Sequence, residues 1–369
     1  MTEGTQAKAM RLPVAGKVGM TGNLYALKTL LPENMEQLSQ TKLESFANAF
    51  SKARIAVIGD LMLDRYLFGT VSRFSPEAPV PILDIHRDEW RLGGAANVAN
   101  NIHTLSATAI LIGVVGDDSK GMRIRRMLKD IGLSADGIIS DPDRPTTIKT
   151  RVIAANQQML RVDHEKKHYL SAEIEEKVFS YVDSLMDDLD AIIFEDYNKG
   201  VLSPKLIRRI TALAEEKGIP VFVDPKHDNF FEYKKATVFK PNRKEMEDAL
   251  RMKFDGDGKL QEAGFKLLEM LEAENILLTL SDKGMLLFER GEKEPYSIPT
   301  RAQQVADVSG AGDTVIATLA VASACGATIR EAATMANRAA GIVIEELGIV
   351  PIYKEQLFNA LVEDLENVR

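Results

Sequence analysis

A chain of 369 residues with 45% hydrophobic side chains is long enough for one large α/β domain or two smaller ones, and it can fill a real core, so a disordered or fibrous protein is excluded. A formal charge of -8 and a pI near 5.4 give no global attraction to nucleic acid or to an anionic membrane. The single cysteine, Cys325, excludes intrachain disulfides and a thiolate metal cluster, and points to a reducing, cytoplasmic setting.

Residues 1–50 read as an N-terminal extension, partly disordered, with a polar helix over Asn34–Phe50 and no apolar stretch of the secretory kind. The folded domain is expected over 51–369. It opens with Ile55-Ala56-Val57-Ile58-Gly59-Asp60, an apolar run read as a buried parallel strand that ends at Gly and Asp. The proline-rich stretch Ser75–Pro81 is rigid and non-helical, and Ile82–His86 alternates like a half-exposed strand. Gly93-Gly94-Ala95-Ala96-Asn97 opens a helix; paired glycines let backbone approach a ligand, and Asn97 can donate and accept toward hydroxyls, although Gly-Gly before a helix is often only a tight turn.

Ala109–Gly116 reads as another buried strand and Gly121–Ile131 as a helix. Thr146–Ala154 and Gln158–Asp163 alternate around Asn156-Gln157, which suggests a hairpin. With the strand near Pro81–His86 they would form a small antiparallel sheet apart from the main one, with accessory strands near 79–92 and 145–163. Such a sheet would act as a lid that keeps water from a reactive phosphate, and its uncovered face would offer a homodimer surface.

From Ser171 on, helices and strands alternate: helix 171–187, strand 191–195, helix 203–217, strand 220–224, strand 237–240, helix 242–251. This is the rhythm of βαβ units and a parallel sheet covered on both faces. The loops that follow these strands carry Asp196–Gly200, Asp224-Pro225-Lys226 and Asn242–Glu245, polar residues at the strand ends where open α/β sheets bind ligands. Ile276–Leu280 and Met285–Phe288 read as strands around the turn Ser281–Gly284, and apolar helices over 311–325 and 330–347 close the core. The uncharged run Thr314–Ile329 is shorter than the roughly 20 residues of a membrane span and contains Thr, Ser and Gly, so it reads as a core helix.

Ahead of that helix lies Asp307-Val308-Ser309-Gly310-Ala311-Gly312-Asp313. Small residues at 309–312 and a helix N-terminus make an anion-binding loop. Asp313 beside it has two readings: a general base toward a hydroxyl that attacks a phosphoryl group, or an Asp placed where the helix dipole favours negative charge. The five histidines have no metal-ligand spacing.

Taken together, Gly-Gly-x-x-Asn at 93–97, Asn-x-x-Glu at 242–245, Thr-x-Ser-x-x-Gly at 279–284 and Asp-x-Ser-Gly-Ala-Gly-Asp at 307–313 resemble, in order and spacing over roughly residues 52–365, the ribokinase (phosphofructokinase B) family of sugar kinases. Gly59–Tyr66, Ser75–Pro81, Gly93–Ala99, Asn156-Gln157-Gln158 and Asp196-Tyr197-x-Lys199-Gly200 look most like its D-glycero-β-D-manno-heptose-7-phosphate kinases, which serve the ADP-heptose pathway of the lipopolysaccharide inner core. The resemblance implies a three-layer α/β/α sandwich with a mainly parallel sheet and a small β lid. It implies that Asp313 is the general base, with the amides of Gly310, Ala311 and Gly312 as anion hole. Asp64, Gly93, Gly94 and Asn97 would hold the sugar; Arg151, Arg161 and Lys199 are candidates for its phosphate, against the alternative that they are solvated charges. Asn242 and Glu245 would organise Mg²⁺ and ATP through water; Ser281, Lys283, Gly284, Asn337 and Gly341 would border the nucleotide. Asp307 and Ser309 match positions that ligate a monovalent cation such as K⁺ in some members.

Two departures stand out. Ser281 occupies a position where the family commonly has Gly, and the chain ends at Arg369 without the C-terminal nucleotidyltransferase that some relatives carry, which points to a stand-alone kinase. The expected reaction is ATP-dependent phosphorylation of the heptose 7-phosphate at C1. Other sugar or sugar-phosphate kinases, and a non-catalytic sugar-phosphate sensor, are the alternatives.

Overall fold

A computed structural model describes residues 38–155, 157–254, 257–300, 305–346 and 348–367. The start of the helix expected over Asn34–Phe50, and Asn156 of the expected turn, fall outside them. In chain order, α1 (Gln40–Ala49) leads into β1 (Arg54–Phe74), β2 (Pro81–Gly94), α2 (Ala95–Thr104), β3 (Thr108–Gly116), α3 (Ser119–Asp130) and β4 (Ile138–Asp141). The hairpin β5 (Thr147–Ala154) and β6 (Gln157–His164) is followed by α4 (Ala172–Asp183), β7 (Ala191–Glu195), α5 (Pro204–Lys217), β8 (Val221–Asp224), β9 (Val238–Phe239) and α6 (Arg243–Leu250). The last third holds α7 (Asp257–Leu271), β10 (Asn275–Thr279), β11 (Met285–Glu289), β12 (Tyr296–Ile298), α8 (Ala311–Ala324), α9 (Ile329–Val343) and α10 (Lys354–Glu366).

Apolar strands whose side chains alternate between two buried faces set the layering. In β1, Ile55 and Val57 join the core built with α1, α2, α8, α9 and α10, whereas Ala56 and Ile58 join the opposite core built with α4, α5, α6 and α7. The main sheet runs β12-β11-β10-β9-β8-β7-β1-β3-β4, parallel from β10 to β4 with β11 and β12 antiparallel at one edge. This is the three-layer α/β/α sandwich expected. Helix α1, within the extension expected over 1–50, packs Leu43 and Phe46 into the first of these cores.

The lid differs from the expectation in one respect. It is neither wholly antiparallel nor separate, because β1 continues through Gly59 and Asp60 and serves both sheets. Its first residues pair with β3 and β7, and beyond Asp60 it pairs antiparallel with β2 and parallel with β5, which pairs antiparallel with β6. Gly59 ends no strand; a Cβ there would meet the Glu195 carbonyl oxygen at 2.0 Å, so glycine allows β1 and β7 to run side by side. Consequently Asp64, four residues beyond the expected strand end, projects from a lid strand. Helices α7 and α10 and strands β4 and β12 were not anticipated, and the helix expected over 330–347 ends at Val343. Among the described residues no helix is long and apolar enough to cross a membrane.

Candidate active site

Helix α8 is buried on all sides from Asp313 to Ala322, which explains why no charge follows Asp313 in it. Its N-cap, Gly310, has φ 82°, a left-handed conformation that favours glycine. The Ala311 amide donates to the Val308 carbonyl at 3.3 Å, so of the three amides expected in the anion hole this one is already engaged. Asp313, two residues further into the turn, is 4% exposed. Its carboxylate accepts from Asn97 Nδ2 at 2.7 Å and from the Tyr197 hydroxyl at 3.0 Å.

Two further carboxylates crowd it. Oxygens of Glu195, Asp224 and Asp313 lie within 4.8 Å of one another, and Lys240 Nζ reaches Asp224 at 2.8 Å. Lys240 and Asp224 lie directly beneath the anion loop, 3.4 and 3.6 Å from where a Cβ on Gly312 would stand. Burial, reinforced by the Asp224 charge and opposed by the hydrogen bonds from Asn97 and Tyr197, lifts the Asp313 carboxyl to about 6. Glu195 is fully buried, with no hydrogen-bond partner at either oxygen among the described residues, and burial, then the charges of Asp224 and Asp313, push it well above the ordinary carboxylate range. Burial and the Asp313 charge push the Tyr197 phenol well above its usual range too, so it stays protonated and donates.

The loop that presents Tyr197 is fixed from below. Asp60, at the end of the main-sheet part of β1, accepts from the amides of Tyr197 (2.8 Å), Lys199 (3.0 Å) and Val201 (3.1 Å). Burial raises its carboxyl and those three amides counteract it. A buried carboxylate with three backbone donors is a rigid strut, and it sets where the phenol stands.

On the lid side the predicted sugar residues do come together. A Cβ on Gly93 would meet Asp64 at 2.1 Å, and one on Gly310 would lie 3.2 Å from Asn97 Nδ2, so the first glycine admits the carboxylate and the last admits the amide. Gly94, φ 58°, is the N-cap of α2 and turns the chain from β2 toward Asn97. Arg151 pairs with Asp64. Lys199 pairs with Glu165 at 2.7 Å, and Arg161 with Asp163 at 2.9 Å on exposed β6.

Behind Asp313, on the other side, opens a cavity of about 650 Å³, within the usual range of small-molecule sites. Its wall includes Gly310, Ala311, Gly312, Asn242, Glu245, Ser281, Gly284, Asn337 and Gly341 from the predicted set, with apolar Val308, Val315, Ala340 and Ile344. Lys283 and Ser309 do not line it. Asn242 and Glu245 form a capping box at the start of α6: the Glu245 amide donates to Asn242 Oδ1 at 2.8 Å and the Asn242 amide to Glu245 Oε2 at 2.9 Å. The other Glu245 oxygen pairs with Lys226. Burial opposes the charge on Lys226, but Asp224 and Glu245 outweigh it and hold the ammonium above its ordinary range. Asp307 accepts from the Ser309 amide at 2.9 Å and the Gly348 amide at 3.1 Å, so it ties two loops together beside the anion site.

Sequence reasoning missed Tyr197 as a contact of the base, although its loop was singled out; it missed Glu195 and Lys240, and saw Asp224 and Lys226 only as strand-end polar residues. A buried strand ending in Glu, as β7 does, was the available signal for Glu195.

A parallel α/β sheet whose strand ends bring a buried, basic carboxylate to a glycine-rich helix start, between a nucleotide-sized cavity and a sheet lid, defines a small-molecule kinase of the ribokinase-like fold. The chain belongs to the pfkB family of carbohydrate kinases, whose family model matches residues 52–354. It is 43% identical over 311 residues to the "Bifunctional protein HldE" of Geotalea uraniireducens, covering 84% of this chain and 63% of that protein. It is 43% identical over 324 residues to the protein of the same name from Pelobacter propionicus, covering 88% and 66%. The chain thus spans somewhat less than two thirds of the length of these relatives. Among solved structures, Arabidopsis thaliana ribokinase complexed with ribose and ATP matches with TM-score 0.67 at 21% identity, over 84% of this chain and 98% of that one. Escherichia coli phosphofructokinase-2 in complex with potassium matches with TM-score 0.71 at 15% identity, over 84% and 99%.

Proposed function

We propose that this carbohydrate kinase transfers the γ-phosphoryl group of ATP to the C1 hydroxyl of D-glycero-β-D-manno-heptose 7-phosphate, giving the 1,7-bisphosphate and ADP. The observation that carries the reading is the position of Asp313. It is a buried carboxylate lifted to about 6, with a nucleotide-sized cavity on one side and a cation-rich lid face on the other. The motifs at 59–66, 93–99 and 196–200 favour the heptose phosphate over other sugars of the family.

In this mechanism Asn97 and Tyr197 orient the Asp313 carboxylate, and the sugar hydroxyl gives its proton to that carboxylate as its oxygen attacks the γ-phosphorus. The bond between the γ-phosphorus and the bridging oxygen of ADP breaks, and ADP leaves with that electron pair. The first turn of α8, through Gly310 and Gly312, meets the charge that builds on the transferred group. The carboxylates of Asp224 and Glu245 on the cavity wall are a donor set that suits a hard divalent cation such as Mg²⁺. When bound, Mg²⁺ would neutralise phosphate charge, with Glu245 and Asn242 holding its hydration shell. Asp64, Gly93 and Gly94 hold the sugar, with Arg151, Arg161 and Lys199 around its phosphate. The outer face of the lid serves a second copy of the chain: Leu160 (56% exposed) and Val162 (51%) of β6 stand on the face opposite Arg161 by strand alternation.

The test is turnover of a sugar panel with ATP and Mg²⁺. Preference for the heptose 7-phosphate with product phosphorylated at C1 supports the reading; brisk turnover of ribose or fructose 6-phosphate with none of the heptose refutes it.

A further inference from the structure

We propose that Lys149 is the residue that receives the phosphate already present on the sugar, and so decides for phosphorylated over plain sugars; this rests on the reading that the substrate is a sugar phosphate. Lys149 lies on β5 directly opposite Asp64 of β1 and Asp163 of β6. Two residues before Arg151, it stands on the same face of the strand, toward the site. Arg161 and Lys199 complete a group of four cations there, close enough that Lys199 and Arg161 disfavour the charged form of Lys149.

The four differ in their partners. Arg151 pairs with Asp64, Arg161 with Asp163, and Lys199 with Glu165. Lys149 makes no ion pair or hydrogen bond among the described residues; its half-buried ammonium stands 4.8 Å over the Tyr197 ring. Burial, first of all, and then the neighbouring cations lower its proton affinity, against the pull of Asp64 and Glu165. An ammonium held partly out of water among like charges is unfavourable until an anion arrives. A phosphate at the other three cations competes with a carboxylate already in place, whereas one at Lys149 displaces nothing. The Tyr197 hydroxyl donates to Asp313 at 3.0 Å, so a single phenol separates this ammonium from the base. A sugar whose reacting hydroxyl lies at Asp313 and whose phosphate lies at the far end of its carbon chain fits that arrangement.

The experiment compares the wild type with Lys149→Met, Lys149→Gln and Lys149→Arg in steady-state kinetics on D-glycero-D-manno-heptose 7-phosphate, fructose 6-phosphate and the corresponding unphosphorylated sugars. Since Lys149 makes no hydrogen bond among the described residues, the variants are expected to melt with the wild type. Losing one charge-assisted phosphate contact should raise KM for the phosphorylated sugar about 10- to 100-fold. The KM for ATP and for the plain sugar should stay within about threefold, and Arg should recover most of the loss. An unchanged ratio of phosphorylated to plain KM in Met and Gln overturns the assignment of Lys149 while the heptose reading stands. If the wild type turns over fructose 6-phosphate and not the heptose 7-phosphate, the heptose reading falls and the same ratio decides Lys149 on that substrate. Wild-type turnover of plain sugars alone overturns both.

Discussion

The Asp313→Asn substitution separates a catalytic base from an ordinary residue of a helix start. In the fold the Asp313 carboxyl titrates near 6, against an ordinary 3.8. Because the folded pKa is raised, the fold binds this proton more tightly than the unfolded chain does. Stability is therefore fully present below 3.8 and is lost as pH rises through 6, to about 3 kcal/mol at neutral pH. Asparagine removes that charge. It also replaces one of two acceptor oxygens by an amide, so either Asn97 or Tyr197 faces a donor, a penalty of about 1–3 kcal/mol that does not vary with pH. The informative quantity is thus the difference in stability between variant and wild type, which should shift in favour of the variant by about 1.5 kcal/mol from pH 5 to pH 8, or about 2 °C in Tm. Groups common to both proteins cancel in this comparison. Turnover, followed as ADP release at pH 8, should fall by about 10²- to 10⁴-fold, and the acid limb of kcat/KM, near pH 6 in the wild type, should vanish from whatever activity remains. A variant that keeps turnover within tenfold, or a stability difference that is flat with pH, refutes the assignment.

Removing the Tyr197 hydroxyl tests how the base is tuned. Its hydrogen bond lowers the Asp313 pKa, so Tyr197→Phe should move the acid limb of kcat/KM above pH 6 while kcat falls about tenfold, the effect of losing one orienting hydrogen bond; an unmoved limb would show that the phenol does not bear on the base. The lid is tested by Leu160→Lys with Val162→Lys. These exposed side chains should tolerate the change as folded monomers, with the mass by light scattering falling from that of two chains to one; an unchanged mass rules out the lid as the dimer surface.

The parts of the fold that could be read from the chain are those in which one segment carries the whole signal. Ile55–Ile58 and Ala191–Phe194 are apolar without interruption and can only be buried strands. The uncharged stretch after Asp313 can only be a core helix. Where reading failed, a local breaker was outvoted by packing: Gly59-Asp60 looks like the end of a strand, yet Gly59 is there because β7 runs too close for a Cβ, and Asp60 because three amides of the 197–201 loop need an acceptor. Helices α7 and α10 had a legible pattern, Leu260, Ala263, Leu267 and Leu271 in one and Leu357, Phe358 and Leu361 in the other, but α10 opens after Tyr353 and not after a Ser, Thr, Asp or Asn cap, so its start carries no local mark.

The chemistry of the site divides in the same way. Asp313 beside a glycine-rich helix start is a local signal, but its basicity is not. That depends on burial and on Asp224 at the end of β8, brought beside α8 by a strand order that no periodicity encodes. The ion pairs then decide which carboxylates remain charged. Lys226 pairs with Glu245, and Lys240 is left to Asp224. Among the described residues no cation is left for Glu195, and its two oxygens find no donor. A carboxylate with neither counter-ion nor hydrogen bond in a dry interior holds its proton. Glu195 in that form adds no charge to the floor of the site, so the negative neighbour that makes Asp313 a stronger base is Asp224. Its effect is limited because Lys240 offsets part of that charge. The result is a carboxylate near 6, basic enough to draw a proton from a hydroxyl under attack, and still ionised at neutral pH.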